Sequence, residues 1–359
     1  MGGNPVLGVL FHWIGGFSSA SFYVPYKRIQ RWSWEVFWLA GGLFSWLIAP
    51  WIFASLRTED LLGVLSAAPR NTLAWCWFWG AMWGFGGLTF GLTMRYLGLS
   101  LGMAVALGLT TVIGTMGPPI FHGTIGEIAA KTSGQLTLLG ILITLVGIVV
   151  VARAGSAKEK DLGGKASEGV AEFKLRKGLM IAVFSGCMSG CFAWGLDAGQ
   201  PIRDLTLAAG TDPLSQGLPV LCAVLAGGLT TNLLWCAWLI RKNRSFGQFF
   251  GAVADRENGG RAPLLTNWLL AALGGTLWYG QFFFYTMGES QMGRFGFSSW
   301  TLHMASIILF STLWGFALKE WKGAAPRTRA LVWTGIGLLV GATVVIGAGN
   351  MLDAAAVAG

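Results

Sequence analysis

The chain alternates long apolar runs with short polar interruptions. A helix needs about 20 apolar residues to cross the hydrocarbon core of a bilayer. Ten runs reach that length, at 5–26, 34–56, 72–95, 98–121, 134–154, 177–197, 213–240, 264–287, 296–318 and 328–350. Most interruptions are brief and carry turn or charge signals, such as Arg57-Thr-Glu-Asp60, Tyr96-Leu-Gly98 and Gly199-Gln-Pro201. Two are longer, from Gly155 to Lys177 and from Arg241 to Pro263. Both read as solvated loops with room for short surface helices. The pattern therefore predicts an all-α integral membrane protein of ten transmembrane helices with no soluble module.

Composition agrees. Hydrophobic residues make up 54% of the 359 and charged residues only 11%, against roughly 25% charged in soluble domains. The 54 glycines suit close helix contacts, and the 19 tryptophans suit membrane interfaces. A net charge of +9 would elsewhere suggest nucleic acid, but here the basic residues fall in the links between apolar runs, so no nucleic-acid partner is expected. The five cysteines, Cys76, Cys187, Cys191, Cys222 and Cys236, lie inside apolar runs without metal-ligand spacing. They read as small buried hydrophobes, and no metal or resident cofactor is expected.

The positive-inside rule orients the bundle. Links after odd-numbered runs hold 20 Lys and Arg residues, and the opposite side holds 5. The odd links are thus expected to be cytoplasmic and both termini periplasmic. No Lys or Arg precedes the first run and three follow it, which is the reverse of a cleaved signal peptide.

The chain also repeats itself. Gly80, Trp83 and Gly98 recur 195 residues later as Gly275, Trp278 and Gly293, and Phe90 matches Tyr285. Gly16, Ser19 and Phe22 recur 170 residues later as Gly186, Ser189 and Phe192. These matches pair run 1 with run 6 and run 3 with run 8. Each half then holds five runs, at 1–154 and 177–359, with 155–176 as a cytoplasmic loop between them. An odd number of spans forces the second copy to insert upside down. Inverted repeats of this kind build transporters with a central site and alternating access. A channel would need a filter-like ring, and none is visible. The GxxxG pairs Gly98 and Gly102, Gly186 and Gly190, and Gly337 and Gly341 predict close helix packing.

Several blocks resemble the L-rhamnose–proton symporter family, a branch of the drug/metabolite transporter superfamily. They are Phe11-His-Trp-Ile-Gly15, Trp32-Ser-Trp-Glu35, Gly80-Ala-Met-Trp-Gly84, Gly91-Leu-Thr-Met-Arg-Tyr-Leu-Gly98, Leu277-Trp-Tyr279, Gln281-Phe-Phe-Phe-Tyr285, Trp300 with Leu302-His-Met304, and Leu318-Lys-Glu-Trp321. The resemblance implies ten helices, a bacterial inner-membrane location and import of a 6-deoxyhexose with a proton as coupling ion. Three positions depart from it. Asp197 and Gln200 stand where the family has Asn and Lys, and Glu289 stands where it has His. These put the particular sugar in doubt.

Polar groups inside a membrane are costly, so each invites a functional reading. At 1.5 Å of rise per residue, His12, Gln281 and His303 fall in the outer halves of their runs, and Asp197, Gln200 and Glu289 at outer ends. Together they predict one outward-facing polar pocket from four helices. Trp13, Trp278, Tyr285 and Trp300 lie at similar depth. Aromatic faces with amides and carboxylates suit a sugar. Asp197 comes first and Glu289 second as proton-carrying carboxyls, with His12 and His303 as imidazole candidates. His12 also reads as a packing residue, and Asp197 as a solvated helix end. Glu35 and Arg95, near the cytoplasmic boundary, could pair as a brace or gate, although Arg95 also reads as snorkelling to the interface. Asn232 could face the cavity or make an interhelical hydrogen bond.

No phosphate-binding glycine loop, HExxH or G-x-S-x-G motif occurs, so no enzyme is expected and no catalytic residue is assigned. The expected function is proton-coupled uptake of L-rhamnose or a related monosaccharide. The alternatives are an exporter or exchanger of another metabolite and a non-transporting sugar sensor or scaffold.

Overall fold

The computed structural model describes residues 3–162, 175–252 and 262–358, and every regular element among them is helical. Helix α1 (Pro5–Ser21) opens on Asn4, whose side chain accepts from the backbone N–H groups of Val6 and Leu7. Pro5 occupies the first turn, where a missing N–H costs nothing. A short α2 (Tyr23–Tyr26) follows. The second apolar run forms α3 (Trp34–Leu43) and α4 (Ala49–Arg57), joined by a π-helical stretch over Phe44–Ile48. Pro50 accounts for that wider turn, because it donates no hydrogen bond and its ring crowds the carbonyl one turn earlier. Then come α5 (Leu61–Ala67), α6 (Arg70–Phe121), α7 (Ile125–Ala130), α8 (Thr132–Asp161), α9 (Leu175–Ala198) and α10 (Gln200–Ala208). The order closes with α11 (Leu218–Asn243), α12 (Leu264–Ser290), α13 (Ser299–Ala317) and α14 (Pro326–Ala358).

Seven helical segments are long and apolar enough to cross a membrane: Pro5–Tyr26, Trp34–Arg57, Thr132–Lys158, Arg176–Ala208, Pro213–Asn243, Phe295–Ala317 and Pro326–Asp353. Helices α6 and α12 also exceed spanning length, at 52 and 27 residues. Their Gly, Trp, Tyr and Gln content dilutes their hydropathy. Straight, α6 would run about 78 Å. It does not run straight, because Trp79 and Phe121 each lie 5.6 Å from the same Trp194 ring. The chain doubles back within α6, and Gly98 of the expected Tyr96-Leu-Gly98 turn lies midway between Trp79 and Gly117, both of which meet Trp194.

The helices pack in a few main pairings. Helix α1 lies against α12 and α13, and α9 lies against both arms of α6. Helix α3 packs on α12 and α11, α11 packs on the first arm of α6, and α8 packs on α14. The matched glycines do matched work. A Cβ at Gly80 would land on the Val224 carbonyl of α11, and one at Gly275 on the Gly41 carbonyl of α3. Gly16 faces Ser306 of α13, and Gly186 faces Ala106 and Leu109 of the second α6 arm.

Two expectations change. Gly337 and Gly341 face open space, so that GxxxG pair makes no helix contact. Gly335 and Gly349, offset from it around the helix, pack against Val151 and Thr137 of α8 instead. The link expected from Gly155 begins as helix, since α8 continues to Asp161. Lys158 and Lys160 in its last turn suit a helix C-terminus, and Asp161 accepts from the Ala325 N–H at 2.9 Å. Residues 163–174 and 253–261 of the two long links lie outside the described residues. Four cysteines are buried, Cys187 is partly so, and all are free.

Candidate transport site

The expected single pocket is divided into two cavities. A central one of about 160 Å³ is lined by Ser19 of α1, Trp83, Phe90, Leu107 and Thr110 of the two α6 arms, Ser189 of α9, Trp278, Gln281 and Phe282 of α12, and Trp300, His303 and Met304 of α13, with Phe22 beside them. Its walls include both members of two repeat-matched pairs, Ser19 with Ser189 and Trp83 with Trp278. Trp300 is fixed by donating its indole N–H to the Thr110 carbonyl at 3.0 Å. One turn further along α13, His303 Nε2 lies 3.4 Å from Gln281 Oε1. His12 lies behind this wall, fully buried, where Gly288 leaves room for its ring. Neither of its ring nitrogens has a hydrogen-bond partner among the described residues. The Tyr285 ring sits 5.3 Å from both imidazoles.

A larger vestibule of about 490 Å³ lies at the end of the bundle where α9 meets α10. Asp197, Gln200 and Glu289 all line it. Asp197 Oδ2 lies 2.8 Å from His122 Nε2. Arg203 donates through Nη2 to Glu289 Oε2 at 2.8 Å and through Nη1 to Gln200 Oε1 at 3.3 Å. Gln200 in turn donates to Asp204 at 2.9 Å. No lining residue is shared between the two cavities. Helix α12 explains the separation. Gln281, Tyr285 and Glu289 follow one another at four-residue intervals on one face, so they step from the central cavity, through an aromatic layer, into the vestibule. That layer stacks Phe192 on Phe282 at 4.4 Å and sets Tyr285 edge-on to Trp300 at 5.8 Å.

Three other expected residues line neither cavity. Trp13 packs edge-on against Phe310. Asn232 accepts the Trp38 indole N–H at 3.0 Å and donates to the Gly228 carbonyl, the interhelical bond of its two readings. Glu35 accepts from Asn243 and Ser245, each at 2.9 Å. The Arg95 side chain lies outside the described residues. Sequence reasoning missed His122 and Arg203. His122 is the third histidine and caps an apolar run, while Arg203 had been counted only as a link charge. The repeat pointed to Trp83 and Ser189, but they were not named as site residues. No group of three or more metal-ligating side chains occurs among the described residues.

The match to known proteins runs along this whole architecture. The family model for L-rhamnose-proton symport proteins matches residues 1–353. The chain belongs to the L-rhamnose–proton symport family. A relative from Cronobacter sakazakii named L-rhamnose-proton symporter is 37% identical over 344 residues, covering 96% of this chain and 97% of that one. Relatives of the same name from Salmonella paratyphi B and Salmonella newport are 38% identical over the same coverage. These family members are named as transporters, not enzymes. The family match covers all residues of both cavities.

Proposed function

We propose that this chain is a secondary active carrier that takes up L-rhamnose or a closely related monosaccharide together with protons. In this reading ten spans form two inverted five-helix halves, as in the drug/metabolite transporter superfamily. The protein sits in the bacterial inner membrane with both termini periplasmic, and the halves expose the central cavity alternately to either side. The observation that carries the reading is the central cavity, whose walls come from matched residues of the two halves. Trp83 and Trp278 offer aromatic faces for sugar C–H surfaces, while Ser19, Ser189, Gln281 and His303 offer hydroxyl partners. The reciprocal packing, α1 on α12 and α13 as α9 on both α6 arms, supports the repeat. Coupling falls to the vestibule carboxylates Asp197 and Glu289 and to the buried imidazoles His12 and His303.

The three departures from the family pattern, Asp197, Gln200 and Glu289, all line the vestibule and none lines the central cavity. That favours retention of the family's sugar at the centre, with a change in entry or proton handling. The first test is a thermal-shift screen of purified protein against monosaccharides, since a ligand that binds only the folded state raises its stability. Stabilisation by L-rhamnose supports the reading. Stabilisation by another sugar alone, or by none, would redirect it to a carrier of a different metabolite. Counterflow in proteoliposomes then separates a carrier from a non-transporting binder.

A further inference from the structure

Several helix ends meet at the vestibule. Helix α12 packs on α1 and α3, α6 packs on α9 and α11, and α11 also packs on α3. Helix α10 follows α9 through Gly199, and its buried face carries Ile202, Arg203 and Thr206. The Arg203 guanidinium crosses to Glu289 at the end of α12, so this ion pair ties α10 to α12. Its side chains are only 11% and 21% exposed, against 50% and 36% for His122 and Asp197. The latter pair joins the end of α6 to α9.

A poorly solvated ion pair is stable only while both partners stay charged and in contact. Protonating the carboxylate removes the reason for the contact. Here the guanidinium has somewhere else to go. Its other arm already reaches Gln200, which is bonded to Asp204 on the same helix. Arg203 can therefore leave α12 without becoming an unpaired buried charge. The remaining charged and titratable groups around the pair are Asp197 from α9, Cys76 and His122 from α6 and its end, Glu127 and Lys131 from α7 and its flank, Asp204 from α10 and Tyr285 from α12. Asp197 is engaged by His122, and Glu127 and Lys131 are of opposite sign.

We propose that Arg203 is the coupling residue of the carrier: its guanidinium is the internal cation that the transported proton displaces from Glu289, and the displacement frees α12 from α10. The proposal rests on the proton-coupled reading above. One proton from the vestibule adds to a Glu289 carboxylate oxygen and only the ion pair breaks. Arg203 keeps its charge and moves onto Gln200 and Asp204. When Arg203 returns to Glu289, the proton leaves on the opposite side.

The test uses the full chain in proteoliposomes with three readouts: accumulation of labelled L-rhamnose under a pH gradient, sugar-evoked proton movement, and counterflow. For one proton per sugar, a gradient of one pH unit supports up to about tenfold accumulation. Arg203→Gln, Glu289→Gln and the charge-neutral double variant should each collapse accumulation to the equilibrium level and abolish sugar-evoked proton movement, while counterflow remains measurable and loses its pH dependence. Arg203→Lys should restore part of the accumulation. Wild-type accumulation in the double variant would overturn the proposal. So would loss of counterflow in all four variants, which would mark a purely structural pair. If wild-type protein moves sugar without protons, the proton-coupled reading itself fails and the proposal falls with it.

Discussion

Adding one methyl group to four glycines should split them into two classes. Gly80 and Gly275 sit in helices whose neighbours bring a backbone carbonyl to the place a Cβ would occupy. A backbone carbonyl cannot rotate aside as a side chain can, so α11 or α3 must move. Overpacking of this kind costs about 1–3 kcal/mol, and the rigid obstacle puts both sites near the top of that range. Alanine recovers about 1 kcal/mol through its better helix propensity, leaving a net loss of about 2 kcal/mol. Gly337 and Gly341 meet nothing within 4 Å, so they should gain the same ~1 kcal/mol with no penalty. The two classes then differ by about 3 kcal/mol. At about 2 °C per kcal/mol for a chain of this size, the apparent melting temperatures in detergent should differ by about 6 °C. Gly80→Ala and Gly275→Ala should also lose similar amounts and add in the double variant, because they act at separate interfaces. If Gly275→Ala melts together with Gly337→Ala, the close approach of α12 to α3 is wrong.

Gln281→Ala should weaken L-rhamnose binding about two- to tenfold, the worth of one net hydrogen bond, as read by titrating the thermal shift; wild-type affinity would move the sugar out of the central cavity. Asn232→Ala strands the buried Trp38 indole N–H and should cost about 1–3 kcal/mol, much of it recovered when Trp38→Phe is added; a melting cycle without that recovery would refute the bond. The His122–Asp197 pair is half-exposed, so a double-variant cycle with Asn and Gln should give only about 0.2–1 kcal/mol of coupling. A coupling above about 2 kcal/mol would mean that the pair is shielded from water.

Much of the helical architecture was legible because the signal is physical and local. A bilayer demands long apolar runs, and seven helical segments are long and apolar enough to cross one. The sequence matches between the two halves were legible for a related reason, since they fall at positions where backbone approach or cavity shape admits little choice. Gly80 with Gly275 and Trp83 with Trp278 are such pairs. What was not legible depended on pairing at a distance. Nothing local tells Arg203 from a solvated link charge until α10 turns it beneath the end of α12. Depth along a helix placed Gln281 and Glu289 on one side of the bundle, but it carries no information about walls, so the aromatic layer at Tyr285 went unseen. Trp13 shares the depth and residue type of the cavity groups, Asn232 shares only their polarity, and the direction each faces removed both.

Helices α8 and α14 each complete their half of the chain, and each finds its main partner in the other. Gly140 of α8 seats Ile346, Gly147 seats Leu339, and on α14 Gly335 seats Val151. Under the proposed division into two halves, neither half closes its own surface. Each carries one helix whose contact face is completed by the other, so the halves would recognise each other as subunits do. The proposed arrangement is that of a two-subunit assembly written into a single polypeptide. Joining two copies would fix their ratio at one to one and free each to change alone, as Asp197, Arg203 and Glu289 have no counterpart among the matched residues of 1–154.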